Sequence, residues 1–227
     1  MFFNDYPDFC ANDLWSENRS HRYNAIIKPM CLKGARVLDL ASNWGQWTFA
    51  ALDAGAESVV GVEGRESNIQ IAHDNLRKYN APSRYEFVLD DVYSYLIDQP
   101  PGQFDVIFCL GFLYHTTRVF EILEEMKRLC PRHIVIDTNV YLSEESVMRV
   151  KDEDTSSSVN AIGDGDREVV FVPSVVALNK MLHNLGLDYR YFDWDDYLSK
   201  ITNKSSMNRY ADGSRVTVHV PIYKMLL

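Results

Sequence analysis

The chain has only four cysteines in 227 residues, and Cys10, Cys31, Cys109 and Cys130 form no Cys-x-x-Cys pair. They read as structural thiols, Cys109 inside an apolar run and Cys130 just after a helical stretch. No apolar run approaches the roughly 18 residues needed to span a bilayer, and no basic segment followed by a signal-peptide core opens the sequence. A cytoplasmic protein without a membrane partner is expected. Basic residues are scarce: 23 Lys and Arg face 32 Asp and Glu, for a net charge of −9. That deficit argues against broad nucleic-acid binding, which draws on clustered cations, and favours a small-molecule acceptor. Asn18-Arg-Ser-His-Arg22 is the small basic cluster near the expected cleft entrance, readable also as a solvated helix face. His21, His73, His133, His183 and His219 lack mutual ligand spacing, and no Ser-His-Asp or Cys-His order suggests hydrolysis. Gly163-Asp-Gly-Asp166 lacks the ligand spacing and terminal Glu of a calcium loop. There is no internal repeat and no linker, so one domain is expected; oligomeric state stays open, a homo-oligomer included.

What is present is a series of short apolar runs ending in carboxylates or glycine. Arg36-Val-Leu-Asp-Leu-Ala-Ser-Asn-Trp-Gly45 ends in Asp39 and turns through small residues, Ala41 and Asn43 among them, into a helix beginning near Gly45. Backbone amides at such a turn approach a ligand closely, and the helix start favours negative charge. A second run, Ala56 to Glu63, places an acid some 20 residues on, where nucleotide folds hold ribose hydroxyls. Tyr85 to Asp91, Phe104 to Gly111 and Arg132 to Asp137 follow, with a helical stretch from Ser67 to Tyr79. Strands alternating with helices predict an α/β fold with one Rossmann-like, doubly wound sheet.

Residues 1–34 carry Phe2, Phe3, Tyr6, Phe9, Trp15 and Tyr23, too many rings for a disordered tail, and read as a helical extension covering the cleft of a 35–227 domain. Residues 140–172 form a long excursion of the kind used as a lid. Pro173 is expected at the first turn of a helix carrying Val176, Leu178, Met181, Leu182 and Leu185, closed by Gly186. Leu187 to Phe192 and Arg215 to Tyr223 read as two last strands.

The Asp39 turn resembles motif I of class I S-adenosylmethionine (SAM) methyltransferases, with Ala41 and Asn43 where glycine is usual. Leu110-Gly-Phe-Leu-Tyr-His115 and Phe171-Val-Pro-Ser-Val-Val-Ala-Leu178 resemble the wobble-uridine tRNA carboxymethyltransferases and their smaller sugar O-methyltransferase relatives, over residues 35–223. The tRNA enzymes carry a larger N-terminal region and use a carboxylated SAM derivative; some of the smaller relatives require magnesium. The resemblance implies a seven-stranded sheet with an antiparallel edge pair and SAM as cofactor. It assigns the methionine end to the Asp39, Ala41, Asn43 and Gly45 turn and to Leu110 and Tyr114. Glu63, followed by Gly64 and Arg65, would hold the ribose, Asp91 and Val92 would frame the adenine, and Arg215 would reach back to the cofactor or else form an edge-strand salt bridge, core packing being the alternative for Tyr114.

Methyl transfer to a hydroxyl needs alignment and removal of a proton. His115 is the expected base, or else a cap for the next helix; Asp137 is a second base. Asp137 and Asn139 share one side of an extended segment, an arrangement suited to Mg²⁺, or else to satisfying loop backbone. The expected function is SAM-dependent O-methylation of a small hydroxylated acceptor, a sugar or oligosaccharide. The alternatives are tRNA modification, requiring Arg19, Arg22 and Lys28, and SAM binding without catalysis.

Overall fold

Five of the apolar runs lie side by side because each has two faces to bury. β1 (Arg36–Leu40), β2 (Ser58–Glu63), β3 (Tyr85–Leu89), β4 (Val106–Leu110) and β5 (His133–Asn139) run parallel in the order β3-β2-β1-β4-β5. Every residue of β4 is buried, as a central strand covered on both faces requires. The computed structural model describes residues 1–163 and 165–222. Asp164 of the Gly163–Asp166 stretch and Tyr223 at the end of the expected last strand lie outside them.

The helices follow in the expected alternation: α1 (Asp13–Arg22), α2 (Gln46–Asp53), α3 (Glu66–Lys78), α4 (Val92–Asp98), α5 (Val119–Arg128), α6 (Val175–Asn184), α7 (Trp194–Ser199) and α8 (Asn208–Ala211). Alternate residues of each strand feed opposite cores. Val37 and Phe108 join Trp47, Phe49 and Ala50 of α2 on one face, while Leu38 and Ile107 join Leu96, Ile122 and Leu182 on the other. The sheet is completed by β8 (Arg190–Tyr191) and β9 (Arg215–Pro221), both antiparallel to their neighbours, with β9 between β5 and β8. The expected seven-stranded Rossmann-like architecture is therefore present. Strand order reverses between β1 and β4, which opens a crevice at their carboxyl ends.

Three local readings are corrected. The 140–172 excursion contains an antiparallel ribbon, β6 (Met148–Asp154) and β7 (Arg167–Pro173), forming a separate two-stranded sheet. Pro173 ends β7 instead of starting a helix: Ser174 caps α6, its hydroxyl accepting from the Ala177 amide at 3.1 Å. The Leu187 to Phe192 strand shrinks to the two residues of β8.

At the N-terminus, Phe2 stacks on Tyr23 with centroids 3.9 Å apart, Phe9 stacks on Phe49 at 4.9 Å, and Phe3 meets Trp47 edge-on at 5.7 Å. These rings fasten the first residues to α2, whereas α1 runs along the crevice. A π-helical turn, Tyr23–Ile27, continues α1 toward β1.

Candidate active site

The crevice holds a cavity of about 750 Å³. It gathers Ala41, Asn43, Glu63, Gly64, Arg65, Asp91, Val92, Leu110, Tyr114, His115, Asn139 and Arg215 on one lining, with Asn18, Arg19 and Arg22 contributed by α1. Asp39, Gly45 and Asp137 stand behind that surface.

At its first end the chain leaves β1 through Ala41 and Asn43, with φ of +53° and +50°, and Gly45 at +79°. Two non-glycine residues thus hold the left-handed conformation that motif I ordinarily assigns to glycine. Gly45 itself is required, since a Cβ there would stand 2.9 Å from Leu76 and 3.1 Å from Ala72. Asp39 is fully buried, and one oxygen accepts from the Thr48 hydroxyl at 2.8 Å. Burial pushes its pKa up to about 7. Its other oxygen, the Ser42 hydroxyl and the Gln46 side-chain oxygen are buried without partners among the described residues. Orphaned polar atoms clustered at a ligand-facing turn fit a polar cofactor end.

Glu63, at the end of β2, accepts from the Asn43 and Arg65 amides at 2.9 and 3.0 Å and from the Asn68 side chain at 3.2 Å. Burial raises its pKa against the opposing pull of those bonds. Gly64 leaves room for Ile162, with which any Cβ at that position would collide. Asp91 caps α4 by accepting from the Ser94 amide at 3.0 Å, and Val92 is buried beside it. Arg65 turns away from Glu63's oxygens and donates its guanidinium to the carbonyls of Thr155, Asn160 and Ala161.

At the other end the structure revises the metal and second-base readings. Asp137 is fully buried; its Oδ1 receives Arg215 at 2.5 Å and Arg22 at 2.9 Å, and its Oδ2 receives Thr217 at 2.6 Å and Tyr210 at 2.8 Å. Burial alone would raise its pKa, but the Arg215 and Arg22 guanidiniums overcome this and hold it below the usual range. Asn139 Oδ1 accepts from Arg215 at 3.2 Å. A carboxylate flanked by two guanidiniums is a counter-ion, and a divalent cation placed there would meet like charge. Among the described residues no group of three or more His, Cys, Asp or Glu could hold a metal ion.

Beyond β4 the chain turns at Gly111, φ +109°, and presents Tyr114 and His115. The Tyr114 hydroxyl accepts from Arg215 at 3.4 Å. His115 is no helix cap, because α5 begins later, at Val119. Its Nδ1 lies 2.5 Å from Glu153 Oε2 on the ribbon. Glu153 also accepts from the Ala161 amide at 3.0 Å and Lys151 at 3.2 Å. Burial would raise the Glu153 pKa, yet the bond and charge of His115 with these other donors bring it down to about 2.

Sequence reasoning did not find Glu153, Lys151, Tyr210 or Thr217, which carry no spacing signal. Arg19 and Arg22 were legible only as a basic cluster; both are buried on the cleft wall, so the solvated-face reading falls. Arg19 donates to the Phe9 carbonyl, and Arg22 lies 4.5 Å over the Trp47 ring. Lys28 does not join them. It lines a shallow depression with Lys33 and Arg84, at the amino ends of β1 to β3.

A family model described as a methyltransferase domain matches residues 37–132. A tRNA U34 carboxymethyltransferase of Pseudomonas aeruginosa is 30% identical over 182 residues, covering 79% of this chain and 53% of that protein. One from Campylobacter lari is 26% identical over 168 residues, covering 71% and 53%. The chain thus spans about half the length of the curated relatives it matches. Among solved structures, the N-terminal domain of EvdMO1 in the presence of S-adenosylhomocysteine (SAH) and D-fucose is similar with a TM-score of 0.62 at 17% identity, over 93% of this chain and 84% of that one. The magnesium protoporphyrin IX methyltransferase of Synechocystis with bound SAM gives 0.62 at 13% identity, over 98% and 89%.

Proposed function

We propose that the chain is a class I SAM-dependent methyltransferase that methylates a hydroxyl of a small acceptor, a sugar or oligosaccharide. The observation that carries the reading is the position of His115, whose imidazole opens on the same cavity as Glu63 and Asp91. A donor at the Glu63 end and an acceptor beside His115 would share this cavity, with a proton acceptor on its wall.

When bound, SAM supplies a methyl group on a sulfonium, open to in-line displacement by an oxygen. The chain's own residues supply the rest. Glu63 offers its carboxylate to ribose hydroxyls, Val92 and Asp91 flank the base, and the Asp39 turn with Leu110 and Tyr114 receives the amino-acid end. His115 would take the acceptor's hydroxyl proton, while these residues would hold the SAM that supplies the methyl carbon and keeps the electron pair of the broken carbon–sulfur bond. Pre-alignment of the two reactants can supply up to about 7–11 kcal/mol of barrier reduction in such a site. The acidic balance of the chain and the D-fucose present with the EvdMO1 domain support a sugar over RNA. Replacing His115 by Gln tests the base: turnover should fall about 10²- to 10⁴-fold while SAH affinity holds. Full turnover by that variant would remove His115 from the chemistry.

One observation favours a second reading, carboxymethyl transfer to tRNA as in the curated relatives. Arg22 and Arg215 hold one buried carboxylate between them, Arg19 lines the same cavity, and Arg22 Nε has no partner among the described residues. A carboxylate on the donor would meet that excess of positive charge. Comparative binding separates the two: the second reading requires carboxylated SAM to bind at least about tenfold tighter than SAM, and the first requires no such preference.

A further inference from the structure

The hydroxyl-transfer reading leaves Glu153 without a role, although the ribbon is built around it. β6 is largely solvent-exposed, and Glu153 is its one buried residue, at 3% exposure. Burial of a carboxylate on such a strand must be compensated by partners. Three are present: Lys151 Nζ and the Ala161 amide from the ribbon, and His115 Nδ1 from the sheet. The carboxylate is an acceptor only, so the neutral His115 ring must carry its proton on Nδ1. Its Nε2 is then the unprotonated nitrogen, the form a base requires.

The ribbon is held in this place from the cofactor side. Ser158 O accepts from the Asn43 and Asn68 side chains, each at 3.0 Å, and Arg65 binds three carbonyls of the same tip at 2.9 to 3.1 Å. The residues that grip the tip thus neighbour Glu63, while the strand leading into it delivers Glu153 to His115. We propose that Glu153 is a positioning residue, which fixes His115 in its Nδ1–H tautomer and does so only with the ribbon docked at the cofactor mouth. The proposal rests on the reading of His115 as the base.

The experiment is nitrogen-15 NMR of the histidine rings in the full chain, read on neutral rings, with His115→Gln to identify the signal. Wild type should show His115 protonated on Nδ1. Glu153→Leu, which removes the acceptor, should convert most of it to Nε2–H, and Glu153→Gln, which keeps an acceptor oxygen, should restore Nδ1–H. In turnover, Glu153→Leu should lower kcat about 10²-fold with SAH affinity within about twofold, and Glu153→Gln should recover most of it. A wild-type ring protonated on Nε2, or a Leu variant with unchanged tautomer and kcat, overturns the positioning role. His115→Gln with full kcat defeats the base reading instead, and leaves the tautomer result standing by itself. If the Leu variant fails to fold, the wild-type tautomer and the Gln variant still decide.

Discussion

Arg215 reaches Asp137 at 2.5 Å across the β5–β9 ladder, from the position opposite Asn139, while Arg22 closes on the same oxygen from α1. The carboxylate thus ties the N-terminal helix, the central sheet and the last strand together beneath the cleft. Asp137→Ala leaves two guanidiniums buried and unpaired, and a loss of about 3–5 kcal/mol is expected in urea unfolding. Adding Mg²⁺ or a chelator should leave the wild-type midpoint unchanged; a metal-dependent midpoint would return the cation to this site.

Asp39 carries a pH dependence of known sign. Its folded pKa, about 7, lies above the ordinary 3.8, so the folded chain holds more protons between those values. The stability from this group is present below pH 3.8 and disappears as pH rises through 7. The cofactor-free wild type should lose on the order of 2–4 kcal/mol relative to Asp39→Asn between pH 4 and pH 8. Parallel urea-unfolding curves for the two proteins across that range would refute the assignment. Asp39→Ala should also weaken SAH binding at least about tenfold in calorimetry.

Glu153 behaves in the opposite sense. Its folded pKa of about 2 lies below the ordinary 4.5, so its contribution is present above pH 4.5 and is lost as pH falls toward 2. Glu153→Gln should therefore unfold with less acid sensitivity than wild type, the two curves converging below pH 2 to 3; circular dichroism on acid titration reads this directly.

Gly61 tests the packing under the cofactor turn without a backbone complication. A Cβ there would stand 2.7 Å from the Phe87 ring and 2.9 Å from Ser42 Cβ. Gly61→Ala should cost about 1–3 kcal/mol in denaturant unfolding, with Phe87 as the group that must move.

The parallel half of the sheet was legible because β1, β2, β4 and β5 are buried on both faces and so read as uninterrupted apolar runs. Glu63 was found by its distance from Asp39, and His115 by its place just past β4. The ribbon was not, because Val150 and Val169 are exposed at 64% and 42% and no alternation marks a buried face. Asp137 was found and its role misread: its partners Arg22 and Arg215 come from residues 115 and 78 positions away, which no local pattern encodes. Glu153 depends in the same way on a tertiary contact with His115. Strand identity is a local property of burial, whereas the pairing of charges in the site is a property of the assembled sheet.

The most direct test of the account is transfer of a labelled methyl group from SAM into separated pools of small carbohydrates and total RNA, with wild type and His115→Gln side by side. Label on a carbohydrate hydroxyl that disappears in the variant, while SAH still binds, is the predicted result. Label appearing only in RNA would contradict it.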